Sequence, residues 1–115
     1  MIDPNAEAEK ALSKLNCRIT YYYPEEFNDL PVVSFYNLTE RPDFSSDNEE
    51  DIQCGTIVVD VWSDTPSDCG SIGIQVNNVM TADGWNREFS RDLGKIDGVY
   101  HRTMRFTKYF ILQEE

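Results

Sequence analysis

A chain of 115 residues has the length of one domain and supplies one hydrophobic core, not two. Hydrophobic residues at 40% and charged residues at 27% are the composition of a chain that folds rather than one that stays disordered. The 21 acids against 10 bases leave a net charge of -11, which disfavours direct binding to nucleic acid, itself a dense polyanion.

The charge is unevenly placed. Residues 1–81 hold 15 acids and 4 bases, whereas residues 82–115 hold 6 of each. Cys17, Cys54 and Cys69 are widely spaced, odd in number and without a CxxC pair, and His101 is the single histidine. Reduced, mostly buried thiols and a reducing, cytosolic place of synthesis are expected, with no metal and no cofactor. The N-terminus lacks the basic and apolar regions of a signal peptide, and no apolar run reaches the roughly 20 residues of a membrane span, so neither export by that route nor membrane insertion is expected.

In chain order, Asp3-Pro4 followed by "NAEAEKALSKLN" combines a cap residue, a proline at the first helical position and apolar residues at helical spacing, and predicts a short amphipathic helix. "CRITYYY" alternates as a strand and stops at Pro24. "PVVSFYNL" predicts a second strand with apolar groups on both faces. The polar stretch Thr39–Asp51 reads as a flexible acidic loop. "IQCGTIVVDVWS" predicts a long third strand, Asp64, Thr65 and Ser67 supply start signals for a second helix, and "ADG" ends it. "WNREFSRDL" and "GVYHRTMRFTKYFIL" read as two last strands around a "GKIDG" turn. The order α-β-β-β-α-β-β over residues 1–115 predicts a single α+β domain, an antiparallel or mixed sheet of four to five strands with two helices packed on one face.

Catalytic chemistry finds little support in these residues. His101 sits mid-strand between Tyr100 and Arg102, outside any nucleophile motif, and reads as an exposed or hydrogen-bonded strand residue. Carboxylates such as Glu25, Glu26, Asp29 and Asp60 are too abundant for any one pair to be a specific signal. "DFSSDNEED" lacks the alternation and central glycine of a calcium loop, and the glycines of "CGSIGI" fit close helix–sheet packing better than a phosphate cradle. No enzyme is expected, and no catalytic, cofactor or metal residue is assigned. Arg102, Arg105 and Lys108, interleaved with aromatics on the last strand, are candidates for a subunit contact with acidic groups such as Asp47, Glu49 and Glu50 of a neighbour.

Taken together, the short N-terminal helix, "ITYYYPEEFNDLPVVSFYNL", the acidic loop, "GTIVVDVWSDT", "VNNVMTADGW", "REFSRDL" and "GVYHRTMRFTKYF" resemble, in order and spacing over nearly the whole chain, the tail-completion or tail-terminator proteins of long-tailed bacteriophages and prophages. The resemblance implies a structural virion protein without enzymatic activity. It would form a ring, commonly hexameric, that caps the head-proximal end of the tail tube. Its partners would be other copies of itself, the tail tube protein and the head connector or stopper, with DNA passing through the lumen without specific binding. It would reside in the host cytoplasm during assembly and then in the virion. In that setting "YYYPEEFNDLPVVSFY" would form the edge and first hairpin of the sheet. The alternatives are another phage neck or head-completion protein and a small non-phage ligand-binding α+β domain.

Overall fold

The computed structural model describes residues 1–42 and 52–112. Helix α1 (Pro4–Leu12) begins where its start signals place it: the Asp3 carboxylate accepts from the Asn5 N–H at 3.0 Å, and Pro4 fills the first turn. Strands β1 (Arg18–Tyr21), β2 (Val32–Pro42) and β3 (Ile52–Ser63) follow, then α2 (Pro66–Ala82), β4 (Asn86–Ile96) and β5 (Val99–Ile111). Thr65 caps α2 through its hydroxyl, which accepts from the Asp68 N–H.

The five strands form one mixed sheet in the order β1-β2-β3-β5-β4. Both helices pack on the same face of it, giving the α+β fold class that the sequence predicts. Alternation along each strand decides what reaches this layer. Val33 and Phe35 of β2, Ile57, Val59 and Val61 of β3, and Met104 and Phe106 of β5 meet Ala8, Ala11 and Leu12 of α1 and Ile72, Val76 and Met80 of α2. Burying each of the larger side chains stabilises the fold by about 1.5–3 kcal/mol. At Gly73 the Arg102 side chain packs closely against α2, since a Cβ there would lie 2.8 Å from the Arg102 Cδ.

Three local expectations are corrected. β1 and β2 are not a hairpin: they run parallel, Arg18 opposite Val32 and Tyr21 opposite Phe35, so the chain must return along the sheet between them. The expected loop at Thr39–Asp51 starts too early, because Thr39–Pro42 continue β2 and pair with Thr56–Gln53 of β3. The polarity of these four residues is that of a strand end open to water, and Asn37 donates to Glu40 at 2.6 Å across a register shift. Residues 43–51 lie outside the described residues. The "GKIDG" turn narrows to Asp97-Gly98, both at positive φ (54° and 81°), as a two-residue hairpin requires.

Candidate functional site

The sheet face opposite the helices is covered differently. At the end of β1, Tyr22 takes a positive φ of 66°, rare for a tyrosine, and sends the chain back over this free face. The connector therefore lays its aromatic rings on the strands. Tyr22 stacks on Tyr36 with centroids 4.9 Å apart, Tyr23 meets Tyr36 and Trp62 edge-on, and Phe27 lies 4.9 Å from Trp62. Burial, followed by the hydrogen bond to Tyr23 and the nearby charges, pushes the Tyr36 phenol up to about 12.

Under these rings lies a buried acid. Asp60 points from β3 to the free face, its side chain 2% exposed, and its Oδ1 is 2.7 Å from the His101 Nε2 on β5. A carboxylate can only accept, so Nε2 carries the proton. The other Asp60 oxygen has no hydrogen-bond partner among the described residues. His101 stacks on Trp62 at 3.7 Å and 11°, and the Trp62 indole N–H donates to the Ser34 hydroxyl at 2.9 Å. β3 and β5 place these groups side by side through the cross-strand pair Trp62 and His101. Beside them a concavity of about 700 Å³ opens between Phe27, Trp62 and His101 on one side and Leu93, Ile96 and Val99 of the β4–β5 hairpin on the other.

Chemically, a carboxylate-held imidazole is the core of a general base, but among the described residues no hydroxyl or thiol is hydrogen-bonded to His101. Burial raises the thiols of Cys17 and Cys69 above the ordinary cysteine range, which keeps them protonated and weakly nucleophilic. All three cysteines are free. No group of three metal-ligating side chains occurs among the described residues, and no helix there is long and apolar enough to cross a membrane.

The three basic candidates of the last strand are not brought together. Arg102 and Lys108 share the helix-bearing face with Met104 and Phe106, whereas Arg105 points to the free face and pairs with Glu88 at 3.9 Å, its guanidinium 4.9 Å from the Phe89 ring centroid. Lys108 is engaged within the chain, donating to the Asp83 carbonyl at 2.6 Å at the end of α2. Arg102 donates to the Ser90 hydroxyl at 3.0 Å. Asp47, Glu49 and Glu50 lie outside the described residues. The Asp60–His101 pair was missed as a unit, although one acid inside the apolar run "TIVVDVW" is a signal for a buried, partnered carboxylate. Compared with known protein families and with curated proteins, the chain matches no family and no curated protein.

Proposed function

We propose that this chain is a structural virion subunit of the tail-completion kind, a ring former that caps the head-proximal end of a phage tail tube and joins it to the head connector. The observation that carries the reading is the free face of the sheet. Tyr22, Tyr23 and Phe27 are laid across it yet remain between 38% and 52% exposed, beside the apolar concavity at the hairpin. A contiguous aromatic surface of this kind suits contact with another protein better than contact with water. The resemblance in segment order over nearly the whole chain supplies the kind of assembly, and the acidic surplus suits a lumen through which DNA slides without adhering. Such a subunit works by contact and carries no catalytic residues.

Electron microscopy of particles from a mutant lacking the gene tests this reading. Tails of uncontrolled length, or finished tails detached from heads, are expected. Normal particles overturn it, and correct tails beside leaking heads favour a neck or head-completion role instead. A second reading, a small-ligand domain, is favoured by the concavity with His101 in its wall. Its test is a fragment screen by NMR, in which methyl shifts confined to Leu93, Ile96 and Val99 support a ligand site and their absence removes it.

A further inference from the structure

Helix α2 carries no charged residue from Cys69 to Ala82, the longest uncharged stretch of the chain. The other long ones, Leu30–Thr39 and Ile52–Val59, fall mainly in strands of the sheet. This one lies on a surface helix whose Ser71, Ile74, Gln75, Asn78 and Thr81 are exposed, Ile74 at 65%. The water-facing side of such a helix ordinarily bears charges. Its absence here matters because copies of a chain with a net charge of -11 repel one another, and they approach at least cost through a surface without charge. Charge depletion also marks the centre of protein interfaces.

A second observation adjoins the first. Between α2 and the β4–β5 hairpin runs a groove of about 310 Å³ whose lining includes Gly73, Ile74, Asn77, Arg87, Ser90 and Arg102. Two guanidinium groups and, among the described residues, no carboxylate line it. The Nε of Arg102 is buried beside Gly73 and has no hydrogen-bond partner among the described residues, and among those residues Arg102 forms no ion pair with Asp92, its cross-strand neighbour. The surplus of acid in this protein lies wholly in residues 1–81.

We infer that the outer face of α2 and the adjoining Arg102 groove form the contact with the next copy of this chain. Ile74 packs at the centre, and an acidic side chain from residues 1–81 of the neighbour enters the groove to accept from Arg102. We take the contact to be head-to-tail, the acid coming from a surface other than the groove, so that it repeats around a ring, and in this respect it rests on the tail-completion reading.

Sedimentation velocity of the full chain over a concentration series, at low and at high salt, tests the inference. Self-association is expected to tighten as salt screens the net repulsion. Ile74→Glu is expected to weaken it about tenfold or more while leaving the thermal midpoint unchanged, since the residue is exposed. Arg102→Met, which keeps the unbranched stem but removes the guanidinium, is expected to weaken it about tenfold. Ile111→Glu, exposed at the end of β5, serves as the control and is expected to leave association unchanged. Wild-type protein that stays monomeric at hundreds of micromolar in high salt overturns the inference, as does Ile74→Glu protein that associates like the wild type. Particle morphology keeps the two readings apart. If loss of the gene detaches tails but Ile74→Glu restores them fully, the interface falls and the tail reading stands. If Ile74→Glu abolishes association but particles lacking the gene are normal, the interface stands and the tail reading falls.

Discussion

On the face that meets α1 and α2, the sheet presents Val33, Ile57, Val59, Met104 and Phe106, an apolar layer held by shape alone, whereas the face behind it buries Ser34 and Asp60 beneath Trp62 and a connector of tyrosines. The first face is stabilised by burial that each side chain contributes nearly independently. The second is conditional. Asp60 can sit at 1% exposure only because His101 reaches it, His101 is held flat by Trp62, and Trp62 is covered by Phe27 and Tyr23. Removing one member there exposes the cost of another.

The sharpest break of the apolar face is Phe106→Ala. Its ring is fully buried, and the cavity should lower the free energy of unfolding by about 3–5 kcal/mol, read from urea titration. On the free face, His101→Ala should cost about 2–3 kcal/mol, more than its size alone predicts, because it strands the Asp60 carboxylate. The double variant with Asp60→Asn should lose less than the sum of the two single changes. Strict additivity would mean that the two residues are not coupled and that the faces do not differ in kind.

Alkaline titration sharpens the comparison further. The Tyr36 phenol ionises near 12 in the folded chain but near 10 when unfolded. Above pH 10 the unfolded state therefore releases a proton that the folded state keeps, and stability should fall as pH rises from about 10 to about 12. In thermal scans across that window, Tyr36→Phe should flatten the dependence, while Phe35→Leu on the other face should leave its slope unchanged. The smallest effect is expected from Arg105→Glu. Arg105 and Glu88 are 38% and 44% exposed, and such pairs contribute little, so stability should change by about 0.5 kcal/mol or less. If the tail-completion proposal holds, complementation by this variant then reports contact with a partner rather than folding.

Most elements were legible because their signals are local. Asp3-Pro4 and Thr65-Pro66 each place a cap oxygen before a residue that needs no N–H partner, and both helices start there. The β1–β2 pairing was not legible, since alternation is the same in parallel and antiparallel strands and the decision rests on the backbone at Tyr22. Of the candidate contacts, the split between Arg102 and Arg105 could have been read, because a spacing of three in a strand puts side chains on opposite faces. The charge-free run from Cys69 to Ala82 was equally visible, but its meaning needed the knowledge that this helix lies at the surface.

By itself, then, the sequence determined where both helices start, the presence and order of the five strands, and where the acidic surplus sits, because caps, periodicity and charge act over a few residues. Only the tertiary structure decided that Asp60 meets His101, 41 positions away, that Tyr22 and Tyr23 close over the sheet instead of extending it, and that Lys108 is tied to Asp83 while the Arg102 Nε is buried without a partner among the described residues. Those outcomes depend on strand order and direction, and contacts between distant segments are set by how the whole chain minimises exposed apolar surface and unpaired polar groups together.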